Sequence, residues 1–285
     1  MKQRVITAIV ALILFIPIVL MGGIWIDVLV CAFAAVGISE IFIMKKQIIV
    51  SWDFILALLA TLTMAVPDSF FKFLPAFLNK YDIFYIFVML MLVRTVLSKN
   101  KVTFDDAGVY TLAALYIGTG FHFMAAIRNA HLGLAILGYV FAVVWSTDIA
   151  AYMVGRKIGK HKLWPVISPN KTWEGSIGAV ICAVVIAAIY VTLVPTGRNN
   201  AMMIVLAFFL SIVGQMGDLV ESAYKRFYGV KDSGKILPGH GGILDRFDSM
   251  LFVLPCCIYG YFIGELLNER YFNLSSCFWD TCFCS

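Results

Sequence analysis

The chain has 285 residues, 61% hydrophobic and 14% charged, with 22 Lys and Arg against 17 Asp and Glu. An ordinary soluble domain carries roughly 25% charge, and no polar stretch here is long enough to bury a core of its own. The composition excludes a soluble enzyme and describes an all-α, polytopic integral membrane protein, with no nucleic-acid partner expected.

Apolar runs fall at 5–21, 24–44, 53–67, 82–98, 107–127, 132–154, 176–195, 201–221 and 249–267. Most approach the ~20 residues that cross hydrocarbon, which predicts about nine transmembrane helices. The first run follows Met1-Lys2-Gln3-Arg4, is long for a signal peptide and lacks a small-x-small cleavage site, so it reads as a retained span. The third is short and ends at Pro67; the aromatic segment 68–80 that follows is expected in the membrane interface. With a cytoplasmic N-terminus and alternating spans, Lys2, Arg4, Lys45, Lys46, Lys99, Lys101 and both long basic loops, 155–175 and 222–248, face the cytoplasm. The other side receives only Lys72, Lys80, Arg128, Arg198 and Arg270, the asymmetry that sets membrane orientation. A bacterial inner membrane fits this reading. The chain is expected to be one domain over 1–272, with spans in 1–130 and the motifs in 131–272, followed by an atypical tail over 273–285.

Cysteines carry no framework. Cys31, Cys182, Cys256 and Cys257 lie in apolar runs, where cysteine serves as a small hydrophobe. Cys277, Cys282 and Cys284 crowd the tail without His partners or a tandem CxxC pattern, so no zinc site is expected there.

Acids at membrane depth are costly and therefore informative, at about 2.5–3.5 kcal/mol each near a helix centre unless paired or hydrated. Glu40, near the end of the second span, is read as snorkelling beside Lys45. Asp148 sits in Trp-Ser-Thr-Asp-Ile-Ala-Ala-Tyr, and Asp218 in Gly-Gln-Met-Gly-Asp-Leu-Val-Glu-Ser. On a helix, Asp218, Glu221, Ser222 and Lys225 share one face, with Gly214 and Gly217 allowing close approach. Such a stripe fits either a hydrated cavity or an assembly salt bridge between Asp218 and a lysine.

The following loop favours the cavity. Pro238-Gly239-His240-Gly241-Gly242 reads as a turn whose amides face a phosphate. Asp245 and Asp248 then project from one helical turn, and carboxylates with phosphate oxygens suit Mg²⁺. Lys225, Arg226, Lys231, Lys235 and Arg246 supply charge for a polyanion. Together, beside an intramembrane aspartate, these features point to phosphoryl chemistry at a membrane surface.

The segment Ser222, Lys225-Arg226, Lys231-Asp232, Pro238, His240-Gly241-Gly242, Asp245-Arg246 and Asp248 resembles the signature of the phosphatidate cytidylyltransferase family. Tyr224 stands where that pattern has an aliphatic residue or Phe. Two upstream blocks, Asp148 to Lys162 and Ser168-Pro-Asn-Lys-Thr-Trp-Glu-Gly, resemble the family's others, with Asn170 where Lys is common. The motifs cover roughly the C-terminal half of the chain.

The resemblance implies CTP and phosphatidate as substrates, CDP-diacylglycerol and pyrophosphate as products, and a catalytic cavity at the cytoplasmic side. A phosphomonoester has a second pKa near 6 and is largely dianionic at neutral pH, so the nucleophile needs no strong base. Charge neutralisation is the harder problem. Asp218 and Asp245 are assigned as ligands of one or two Mg²⁺ ions, with Asp248 or Glu221 as a third; a monovalent cation stays open. Lys225, Arg226 and Arg246 are placed on substrate phosphates. Asp148, Tyr152 and Arg156, at i, i+4 and i+8, are expected to line the same cavity. Ser168, Lys171, Thr172 and Glu174 are expected at the nucleotide or lipid headgroup, while Lys157, Lys160 and Lys162 serve topology or anionic lipids. Ser222, Lys231, Asp232, Gly241 and Gly242 complete the substrate-binding set, and His240 either donates to a phosphate or shapes the turn. The resemblance also leaves room for a homodimer. The competing readings are a CTP-dependent polyprenol or lipid kinase, which would need a base for its hydroxyl acceptor, and a secondary transporter, which would show repeated halves.

Overall fold

A computed structural model describes residues 2–75, 77–239 and 241–260. The chain is mostly helical: α1 (Lys2–Met21), α2 (Ile24–Met44), α3 (Trp52–Ala65), α4 (Lys80–Leu97), α5 (Phe104–Asn129), α6 (Gly133–Ile158), α7 (Trp173–Leu193) and α8 (Asn200–Phe227). A further helix, α9, occupies 244–260 of the described residues. The helices coincide closely with the apolar runs, because a backbone in hydrocarbon must satisfy its own N–H and C=O groups. Five of them, α2, α5, α6, α7 and α8, are long and apolar enough to cross a membrane. The molecule is an integral membrane protein.

The all-α expectation needs one correction. Between α6 and α7 the basic segment forms an antiparallel hairpin of β1 (Lys162–Trp164) and β2 (Ser168–Thr172), with Lys162 opposite Thr172 and Trp164 opposite Ser168. Pro165 and Pro169 break helical continuation, and the hairpin pairs backbone groups that would otherwise be open. The segment 68–80 holds a 3₁₀ turn, Asp68–Phe71, with Phe73 and Phe77 exposed.

Helix packing relies on small residues, which let backbones approach where lipid offers no hydrophobic drive. A Cβ on Gly118 of α5 would stand 2.6 Å from the Thr61 carbonyl oxygen of α3. On Gly175 of α7 it would stand 2.8 Å from the Ala151 carbonyl oxygen of α6. Outward, α7 presents Ile177, Ile181, Val185 and Ile189 at four-residue spacing, all exposed and suited to lipid. Buried hydroxyls tie helices across: Tyr139 donates to the Met203 carbonyl at 2.6 Å, and Thr147 to Ser211 at 2.9 Å.

Charges sit at helix ends and pair. Lys45 at the end of α2 meets Asp106 in the first turn of α5 at 2.6 Å, and Arg94 of α4 meets Asp53 of α3 at 2.9 Å. Lys45 is therefore not the partner expected for Glu40. Five residues along a helix is a rotation of about 140°, so the two side chains leave α2 in different directions.

The tightness at Gly118 yields a test. Gly118→Ala should lower the thermal midpoint in detergent by the equivalent of about 1–3 kcal/mol of overpacking. An unchanged midpoint would show that α3 and α5 are less closely apposed.

Candidate active site

Helix α8 runs beyond the expected residue 221 to Phe227 and carries the acidic stripe into the site. A Cβ on Gly217 would lie 2.8 Å from the Asp248 carbonyl oxygen, so α8 and α9 approach backbone to backbone. This contact brings the acids of the two helices together. Lys225 Nζ stands 2.7 Å from both Glu221 Oε2 and Asp245 Oδ1. Those two carboxylates are almost sealed from solvent, at 1% and 6% exposure. Asp218 turns the other way, with Lys171 of β2 at 2.7 Å and the Ser222 hydroxyl donating to it at 3.4 Å.

The glycine-rich loop closes over this centre. Asp245 Oδ2 accepts from the amides of Gly242 and Ser233, both at 2.8 Å, and from the Ser233 hydroxyl at 2.9 Å. Burial alone would raise the Asp245 carboxyl; the Gly242 amide and Lys225 outweigh it and hold the group below the usual aspartate range. Glu40, 1% exposed, reaches the same loop from α2. It accepts from the amides of Ile243 at 2.7 Å and Leu244 at 2.9 Å, and from the Ser233 hydroxyl at 3.1 Å. The amides of 242–244 thus serve internal carboxylates rather than standing open for a phosphate. Gly242 and Gly234 make room for this: a Cβ at either would lie 2.3 Å or 2.7 Å from Glu40 Oε1. Gly241 has φ +83°, a conformation that favours glycine.

On the other side of Asp218 lies a cavity of about 510 Å³ between α6, the hairpin, α7 and α8. Asp148, Tyr152 and Arg156 line one wall, and Lys171, Thr172 and Asp218 line another. Arg156 donates to the Tyr152 hydroxyl at 3.3 Å. Asn170, Lys162 and Gln215 also face the cavity.

The remaining expected residues are more dispersed. Thr172, besides lining the cavity, caps α7, accepting from the Gly175 amide at 3.2 Å. Glu174 bends back to His161, whose Nδ1 lies at 2.6 Å. Arg226 donates from Nε to the Ile167 carbonyl at 3.3 Å, joining the end of α8 to the hairpin. Ser168 pairs within the strands. Lys231, Asp232 and Arg246 are exposed on the loop face. His240 and the tail with Cys277, Cys282 and Cys284 lie outside the described residues.

Acids outnumber cations in the centre. Asp148 and Asp218 both lie within electrostatic reach of Asp248, whose carboxyl faces that of Glu221. With Asp245 this places five carboxyls around the two ammonium groups of Lys171 and Lys225. Glu221 Oε1 is buried without a hydrogen-bond partner. Among the described residues, no three His, Cys, Asp or Glu side chains are drawn together as a ready metal cage. The donor set nevertheless fits a hard cation in kind, being all oxygen and rich in carboxyl groups.

Four contributors escaped the sequence reading. Ser233 links Glu40 to Asp245, Gln215 edges the cavity, Lys162, expected to serve topology or anionic lipids, lines it too, and Glu40 belongs to the loop rather than to Lys45. The one available signal for Glu40 was its charge at membrane depth. Tyr224, treated as a packing variation, buries a hydroxyl close to Glu221 and Asp248.

The cytidylyltransferase family profile matches residues 2–263. A Bacillus subtilis (strain 168) protein named phosphatidate cytidylyltransferase is 46% identical over 269 residues, covering 94% of this chain and 99% of that protein. A Staphylococcus haemolyticus protein of the same name is 45% identical over 255 residues, covering 90% and 96% of the two chains. With a match running nearly end to end, the chain belongs to the cytidylyltransferase family.

Proposed function

We propose that this protein transfers the cytidylyl group of CTP to phosphatidate, releasing pyrophosphate and leaving CDP-diacylglycerol in the membrane. One observation carries the reading. A cavity edged by Arg156, Lys162 and Lys171 ends on Asp218, behind which lie the acids of α8 and α9. Its volume, about 510 Å³, falls in the range of small-molecule sites. A polyphosphate would lie along the basic edge, and its charged end would meet the carboxylates only through cations.

The phosphatidate oxygen attacks the α-phosphorus of CTP and the bond to the β-phosphate bridging oxygen breaks, so pyrophosphate leaves. The nucleophile is already dianionic, and no side chain need remove a proton. What the chain supplies is position and charge. Lys171 and Arg156 hold phosphate oxygens in the cavity; Arg226 and Arg246 attract the second polyanion at the loop face. Lys225, fixed between Glu221 and Asp245, keeps those carboxylates apart and oriented. Asp218 and Asp245 Oδ1, with Asp248 or Glu221, would hold Mg²⁺, which when bound neutralises the phosphates and the departing pyrophosphate. Asp245 Oδ2 stays committed to the loop.

The lipid explains the location. Phosphatidate stays in the bilayer while CTP is soluble, so the site must open to both. The basic hairpin and loop lie together at one end of the helices, and the Lys and Arg asymmetry assigns that end to the cytoplasm. In this reading the nine apolar runs all span a bacterial inner membrane, the N-terminus is cytoplasmic, and residues 1–272 act as one domain.

Pyrophosphate release in mixed micelles tests the reaction. Release should require phosphatidate, CTP and Mg²⁺ together, and Asp218→Asn and Asp245→Asn should each lower it about 100-fold or more. Release that persists in both variants would keep the reaction and remove this site. CDP formation from CTP and a long-chain alcohol, without pyrophosphate, would make the protein a lipid kinase instead. For orientation, a cysteine replacing exposed Lys160 should react with an impermeant thiol reagent in inverted vesicles. Its labelling in intact cells would reverse the topology.

A further inference from the structure

Among the described residues, Glu40 is the most buried charged side chain that the reaction does not use. It lies in α2, about two hundred residues from its partners, and makes no contact with the cavity. Its carboxylate is nonetheless fully engaged. Oε1 accepts from the Ile243 amide at 2.7 Å; Oε2 accepts from the Leu244 amide at 2.9 Å and the Ser233 hydroxyl at 3.1 Å. These two amides open α9, where unpaired N–H groups and the helix dipole favour an anion. The next residue on that helix is Asp245, and Asp248 lies one turn on.

Two further features tie Glu40 to the reacting centre rather than to packing at large. The Ser233 hydroxyl lies 3.1 Å from Glu40 and 2.9 Å from Asp245 Oδ2, so one group touches both carboxylates. From Asp245 the chain continues through Lys225 to Glu221 at 2.7 Å per step. Gly234 and Gly242 also press on Glu40 so closely that a Cβ at Gly242 would lie 2.3 Å from its Oε1. No larger residue fits either place without moving the carboxylate. The loop is therefore moulded around this one side chain.

We propose that Glu40 is a positioning residue for the transfer: by clamping the first turn of α9 and the Ser233 hydroxyl, it sets where Asp245 and Asp248 stand against α8. It touches neither substrate nor the phosphorus. Its effect on rate follows from geometry, since a displacement of about 1 Å among groups that orient a reaction can cost on the order of 100-fold. Charge and shape both matter here. An amide in its place must turn an NH₂ group toward the Ile243 or Leu244 N–H, donor against donor, leaving one buried amide unpaired.

The inference rests on the cytidylyl-transfer reading, and the test separates the two. Wild type, Glu40→Gln and Ser233→Ala would be purified in the same micelles. Turnover with phosphatidate, CTP and Mg²⁺ would be measured beside amide hydrogen exchange, peptide by peptide. Glu40→Gln should lower kcat by about 10- to 100-fold with KM for CTP within about twofold. Exchange should quicken over 242–247 and stay at wild-type values in α5, α6 and α7. Ser233→Ala, which cuts the link to Asp245 but spares the amide bonds, should lower kcat by less and leave Leu244 protected. Turnover of Glu40→Gln within twofold of wild type overturns the proposal. So does a loss matched by faster exchange throughout the chain, which would mark Glu40 as general scaffolding. If wild type itself does not turn over, the reaction reading fails. The clamp is then judged by exchange alone, and unchanged exchange over 242–247 in Glu40→Gln sinks it.

Discussion

A helix that begins inside a protein has N–H groups with nothing to bind, and α9 begins beneath a loop, against the core. Glu40 meets that need from the far end of the sequence, and much of the remaining architecture is arranged to let it do so. Gly234 and Gly242 are without side chains because the carboxylate occupies that space. Ser233 is buried because its hydroxyl lies between two acids. Asp245 stands at the head of α9 with its own loop amides, so two carboxylates share the work of satisfying one turn. An uncompensated charge at this depth would be strongly unfavourable; three hydrogen bonds and a helix N-terminus make it a fixed point.

From that fixed point the acids are distributed between two helices that almost touch. Gly217 lets α8 lie against the Asp248 backbone, and the stripe on α8 then meets the one on α9. Lys225 and Lys171 enter from different directions, one from α8 itself and one from the hairpin. Five carboxyls gather around two ammonium groups, and a buried oxygen of Glu221 is left without a partner. At membrane depth each ionisable group is costly.

The hairpin has a comparable role on the opposite wall. Its strands are too short to form a sheet of consequence, yet they hold Lys171 over Asp218 and supply Thr172 as the cap of α7. Arg226 fastens the end of α8 to the same hairpin through the Ile167 carbonyl. The cavity is thus bounded by helices that are rigid in lipid and by a short extended element that is not committed to the bilayer. That division suits a site where a soluble nucleotide must meet a lipid.

The membrane character and the positions of the apolar helices were legible in the sequence alone. Hydropathy reports spans directly, because hydrocarbon forces the backbone to close its own hydrogen bonds. Helical periodicity likewise put Asp148, Tyr152 and Arg156 along one wall, where they line the cavity, whereas the stripe of α8 divides, Asp218 going to Lys171 and Glu221 to Lys225. Periodicity states direction relative to a helix's own axis and says nothing about what lies in that direction. Only the tertiary structure decided that Lys171 meets Asp218, that Lys225 bridges Glu221 and Asp245, and that the loop amides serve carboxylates instead of open solvent. The clearest case is Glu40. Its nearest cation in sequence is Lys45, which pairs with Asp106, while its true partners lie 203 and 204 residues away. Contacts across such separations depend on how whole helices pack, and the chemistry of a single residue carries no record of that.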